Sequence, residues 1–157
     1  LSGYEHYVSA KDTLYTLETR GEEIRMKSET GGLYLVENIK TTFQGEEVIF
    51  GRVKEPHLLF PLIEGDSWNY ALNLSTIHEG DTVYKNILIY VDSIRLVEEE
   101  VPSGLYEKSY RLKRTVIEDS DTNISYEWYA PDVGPIKIYY PSDSTTWELE
   151  EFIEIGE

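Results

Sequence analysis

Along most of the chain, apolar and polar residues alternate with a period of two, the pattern of strands that turn one face toward a core. The clearest run is Trp68-Asn69-Tyr70-Ala71-Leu72-Asn73-Leu74, with Trp68, Tyr70, Leu72 and Leu74 on one side and Asn69 and Asn73 on the other. Trp147, Leu149, Ile153 and Ile155 oppose Glu148, Glu150 and Glu154 in the same way, and Glu151 interrupts the apolar side as a bulge or strand edge would. Ile136, Ile138 and Tyr140 repeat the pattern. Turn-forming residues fall between such runs: Gly21, Gly31-Gly32, Gly45, Gly80-Asp81, Pro102-Ser103-Gly104, Ser120-Asp121-Thr122-Asn123 and Pro141-Ser142-Asp143. The pattern predicts strands near 4–9, 13–20, 23–29, 33–43, 46–53, 67–76, 82–98, 105–118, 124–129, 135–140 and 145–155. The run from Thr82 to Glu98 is long and apolar on both sides in its middle (Ile87, Leu88, Ile89, Tyr90, Val91), so it should bend or be covered on both faces.

Helical periodicity is hard to find. The expected fold class is all-β: a single antiparallel domain over 1–157, with a strongly curved sheet, half-barrel or sandwich of about 10–11 strands. Pro56-His57-Leu58-Leu59-Phe60-Pro61-Leu62-Ile63 holds two prolines, which cannot donate to a ladder. Residues 55–65 therefore read as an apolar connector between possible sub-sheets 1–54 and 66–157.

Composition narrows the function classes. A hydrophobic share of 40% over 157 residues supports a real core rather than disorder. Fourteen Lys and Arg against 30 Asp and Glu give a net charge of −16, which repels phosphate backbones and anionic membrane surfaces, so nucleic acid is not an expected partner. The absence of cysteine removes disulfides, thiolate catalysis and zinc–thiolate sites. No apolar run approaches the ~18 residues of a transmembrane helix. The chain reads as a mature or trimmed product. Leu1-Ser2-Gly3 resembles the end of a lipoprotein signal, yet Tyr4 stands where the lipidated cysteine would be, so any lipid anchor is expected outside this chain.

Two segments carry a resemblance. Phe60-Pro61-Leu62-Ile63-Glu64-Gly65-Asp66-Ser67-Trp68-Asn69-Tyr70 resembles the P-L-x-x-G-x-x-W-x-Y opening of a group of bacterial cell-envelope proteins and lipoproteins. Glu127-Trp128-Tyr129-Ala130-Pro131-Asp132-Val133-Gly134-Pro135-Ile136-Lys137 is similar to their W-Y-A-x-G-V-G-x-V-K segment, and the order and separation agree. The departures are Asp132, where a glycine is common, and Pro135. The resemblance spans about residues 33 to 155. It implies an extracytoplasmic, secreted or lipid-anchored β-rich protein at the periplasm or cell surface, distantly similar to the open half-barrels that carry lipoproteins or lipids. It brings no functional residues with it.

Read without the family, Pro61 sets φ ahead of a strand, Gly65-Asp66 makes a turn and Trp68 anchors the core, while Tyr126, Trp128 and Tyr140 are expected to pack together across a rigid 131–135 turn. Candidate chemistry is thin. Paired carboxylates could serve glycoside hydrolysis, and Glu127, between Tyr126 and Trp128, is the one of interest; alternation places it on the solvent side. His6, His57 and His78 sit in separate segments without a nucleophile frame or zinc spacing. Asp119-Ser120-Asp121-Thr122-Asn123 opens like a calcium loop, but Ile124 and Ala130 replace the glycine and glutamate such a loop needs, so a plain hairpin turn is favoured. Gly31-Gly32 lacks the lysine of a phosphate loop. No catalytic residue, metal or cofactor is therefore expected.

One local inversion of sign stands out. Tyr106, Lys108, Tyr110, Arg111, Lys113 and Arg114 form a basic, tyrosine-rich strand, a possible ligand or partner patch. Charge pairing with Glu98-Glu99-Glu100 across a hairpin is the simpler explanation. The leading expectation is a non-enzymatic envelope module that holds a protein partner or an amphiphile on a curved β surface. A carboxylate-dependent carbohydrate hydrolase, or a surface-assembly subunit joined by edge-strand addition, are the alternatives.

Overall fold

The structure, a computed structural model, describes residues 14–19, 22–29 and 31–153. The segment expected as a strand at 4–9, together with His6 and Ile155, lies outside the described residues. Among the described residues, ten strands follow one another with no helix: β1 Leu14–Thr19, β2 Glu22–Glu29, β3 Gly32–Phe43, β4 Glu46–Leu59, β5 Trp68–His78, β6 Asp81–Val101, β7 Gly104–Glu118, β8 Asp121–Ala130, β9 Gly134–Tyr140 and β10 Thr145–Glu148. They form two antiparallel sheets, not closed into a barrel, in the orders β1-β2-β3-β4 and β10-β9-β8-β7-β6-β5. Each sheet is a meander, the arrangement that short turns between consecutive strands produce. The chain divides into two compact units: Leu1–Pro61 with Leu72–Asn86, and Leu62–Ala71 with Ile87–Glu157.

The first sheet corrects the connector. Pro56, His57, Leu58 and Leu59 continue β4, with Pro56 aligned to Tyr34 and Leu58 to Leu33. Proline is tolerated because β4 is an edge strand and because His57 is an extra residue in the ladder, so the missing N–H costs no pairing. A second shift leaves Phe50 extra beside Gly51, whose φ of +117° suits a bulge. Leu33, Ile39, Val48 and Leu58 are buried along this ladder. Gly32 is required where two backbones crowd: a Cβ there would lie 2.5 Å from the Leu58 carbonyl oxygen.

In the second sheet, one face forms the core of its unit. Ile87, Ile89, Val91 and Ile94 on β6, Leu112 on β7, Ile138 on β9 and Trp147 on β10 are all buried. Leu112, Glu127, Ile138 and Trp147 make one row across four strands. The long strand bends rather than being covered on both sides. Opposite Leu112, β6 carries the two residues Ser93 and Ile94, with Ser93 at φ +56°, while Tyr90 on the other face stays 39% exposed. The sheet also curls. Ser103 N–H, in the β6–β7 turn, donates to the Leu149 carbonyl just past β10 (3.0 Å), and Leu149 N–H donates to Ile136 (2.9 Å). Leu149 is buried accordingly, but the C-terminal strand ends at Glu148 and Ile153 is 69% exposed, so the expected strand through 155 stops short. Asp132 takes φ +62° in the 131–133 turn, a conformation that Asp tolerates and Gly adopts freely.

Candidate functional site

Four polar side chains meet inside the second unit. Residues 125, 127 and 129 share one face of β8, and Arg114 reaches them from β7, where it aligns with Ser125, diagonal to Glu127. Arg114 Nε donates to Glu127 Oε2 at 2.8 Å and Nη2 donates to Oε1 at 3.3 Å. Ser125 Oγ donates to Oε2 (2.7 Å), and the Tyr129 hydroxyl donates to Oε1. Glu127 is 3% and Arg114 6% exposed. Burial opposes the charge on Arg114, but the Glu127 carboxylate and the Tyr129 hydroxyl together outweigh it and hold the guanidinium above its ordinary pKa. Burial first, and the same carboxylate second, push the Tyr129 hydroxyl well above its usual value near 10.

This overturns the solvent-facing placement of Glu127. The odd positions of β8 face the core, and the pattern toward its end is buried on both faces, because Trp128 on the opposite side is also covered. A carboxylate engaged by a guanidinium and two hydroxyls, between Leu112 and Ile138 in its row, is a structural anion rather than an acid poised for hydrolysis.

The basic strand separates onto two faces. Arg114 points into the core, while Arg111 and Lys113 lie on the opposite face with Trp128 and Tyr126 as their row neighbours on β8. Those rows run on to Lys137 and Tyr139 on β9, and Arg111 faces Arg95 on β6. Tyr126 stacks with Tyr139 (6.5 Å, 27°), not with Tyr140, because the bulge at Ile136 sets that register. Lys137 Nζ lies 4.9 Å from the centre of the Trp128 ring and 2.8 Å from Glu99. The Tyr106 hydroxyl bonds Ser103 Oγ at 2.9 Å, Tyr110 aligns with Tyr129, and Lys108 is exposed.

The expected pairing of the glutamate run with these cations is not the one found. Glu99 and Glu100 align with Tyr106 and Leu105, and Glu99 pairs with β9 instead. Both glutamates lie too close to the tight β6–β7 turn to face the cations, since Arg111 and Lys113 align with Arg95 and Asp92 farther along β6. Lys113 aligns with Asp92, whose Oδ1 accepts from Ser93 Oγ at 2.8 Å. Among the described residues, Arg95, Arg111 and Lys113 form no ion pair. Beyond them along the same face come Tyr90, Thr115 and Ile124, then Leu88, Ile117 and Thr122, most of them half-buried. The face therefore grades from cationic and aromatic to apolar.

Of the histidines, His57 sits at the β4 bulge, and His78 ends β5 with Nε2 2.6 Å from Glu46 Oε2. Glu79 adds a third possible ligand atom within 4.8 Å of both, in the first unit. Two ligands on one zinc at ~2.1 Å stand over ~3 Å apart. The 2.6 Å contact is thus a hydrogen bond that an ion would have to part. Sequence spacing could not show this trio, since Glu46 precedes His78 by 32 positions. Comparison with known proteins returns no match: no family model fits the chain, and no curated protein or solved structure aligns with it significantly.

Proposed function

We propose that this chain is a non-enzymatic binding module that holds an anionic amphiphile on the open face of its six-stranded sheet. The head group sits at Arg95, Arg111 and Lys113, and the tail lies along Tyr90, Leu88, Ile117 and Ile124. The observation that carries the reading is a trio of clustered cations that form no ion pair, in a chain with 30 acidic residues. Arg95 directly opposite Arg111 is unfavourable by roughly 0.2–1 kcal/mol unless an anion lies between them. Guanidinium groups offer paired donors that suit a carboxylate or phosphate head. An extracytoplasmic, envelope location belongs to the same proposal and rests on the two motif resemblances; fractionation of the cells that make the protein tests it.

The binding test uses dodecanoate, with dodecyl maltoside as the neutral-headed control, both below micelle formation and read by calorimetry. Saturable binding of dodecanoate is expected, weakened at least about ten-fold (~1.4 kcal/mol) in Arg111→Glu. Equal affinity for the two head groups, or no saturable heat, would refute the proposal.

A further inference from the structure

We infer that β5 is a self-association edge, pairing antiparallel with β5 of a second copy to join two six-stranded sheets into one. Four strands end the two sheets: β1, β4, β5 and β10. Natural edges are blunted by shortness, proline, bulges or charge. β10 has 4 residues. β4 has Pro56, two bulges and the charges of Glu46, Glu47, Arg52, Lys54 and Glu55. β1 spans 6 residues and includes Glu18. β5 has none of these devices. It runs for 11 residues, alternates half-buried and exposed without interruption, and contains no proline, glycine or acidic or basic residue apart from His78 at its end. Between Asp66 and Glu79 lies the longest stretch of the sequence free of Asp, Glu, Lys and Arg, and the fold places it at an edge. No described strand pairs with its outer side.

The occupant follows from charge. A chain of net charge −16 repels a copy of itself almost everywhere, and this uncharged edge is the surface on which that repulsion is least. A twofold axis through Asn73, the midpoint of Trp68–His78, pairs the full length of the strand. Leu72 then faces Leu74 of the other copy, Tyr70 faces Thr76, Ala71 faces Ser75 and Trp68 faces His78. Apolar and β-branched side chains meet on the half-buried face, and no like charges oppose each other. Every contact off the axis occurs twice, so the interface closes at two copies.

Because the chain has no cysteine, single cysteines report the register. Asn73 would face itself across the axis, at ~4.5–5.5 Å between Cα atoms, within reach of a disulfide. Ser75 would stand four residues from its own copy, about 13 Å away and out of reach. Sedimentation equilibrium on the full chain should show a dimer, and mild oxidation should cross-link Asn73→Cys at least ten-fold faster than Ser75→Cys. Asn73→Lys, which sets two ammonium groups face to face, should raise the dimer dissociation constant at least ten-fold with an unchanged circular dichroism spectrum. A monomer at all concentrations up to about 100 µM, equal cross-linking at the two positions, or a folded Asn73→Lys variant that dimerises as before would each overturn the inference.

Discussion

Removing the Glu127 carboxylate by Glu127→Ala should be among the most damaging single changes outside the apolar core. Arg114 is 6% exposed, and its guanidinium receives two hydrogen bonds' worth of compensation from this one side chain. Without it, the buried Arg114 guanidinium, in the row of Val91 and Ser125, keeps its charge without this carboxylate beside it, and the Ser125 and Tyr129 hydroxyls lose their acceptor. Breaking a buried pair from one side costs ~3–5 kcal/mol, a large part of the ~5–15 kcal/mol that holds a typical domain folded. With a urea slope of ~2 kcal/mol per molar, a loss of ~4 kcal/mol moves the unfolding midpoint down by ~2 M. Fluorescence of Trp128, the next residue in the chain, reports the transition. The companion variant Arg114→Met with Glu127→Leu removes both charges and should recover most of the loss, because the site then needs no compensation. A fall of less than ~0.5 M for Glu127→Ala, or a double variant as unstable as the sum of its parts, would show that water already reaches the cluster and that the reasoning fails.

Three further outcomes are expected. Tyr129 holds its proton more tightly in the folded than in the unfolded chain, so its contribution is complete below pH ~10 and is lost as pH rises from there toward the raised folded value; alkaline unfolding should begin later in Tyr129→Phe, and an identical profile counts against the assignment. Gly32→Ala forces a Cβ to within 2.5 Å of the Leu58 carbonyl oxygen and should cost ~1–3 kcal/mol in thermal melts, a penalty that no relaxation of a flexible side chain can relieve. Leu112→Ala, at a fully buried position, should cost ~2–5 kcal/mol, whereas Leu105→Ala, 55% exposed, should stay within ~0.5 kcal/mol; equal losses would mean the core is misplaced.

The sequence by itself determined what depends on near neighbours. Alternation marked the strands, and Gly and Pro marked most of the turns, because side-chain direction and φ preference are set within a few residues. Trp68 to Leu74 lie as their pattern indicated, with Asn69 and Asn73 outward. Tertiary structure decided which face of each strand meets the core, how registers align and which strands are edges, all of which depend on residues far apart in the chain. Glu127 and Trp128 show why: alternation says that they point opposite ways, but not which way is in, and the tryptophan suggested the wrong side. One extra residue at His57, at Ile136 or in the Glu107-Lys108 pair opposite Glu98 shifts a ladder without altering local composition; the last of these left Arg111 facing Arg95. The uncharged stretch of β5 was visible from the start. Its meaning appeared only once the sheet order placed it at an edge.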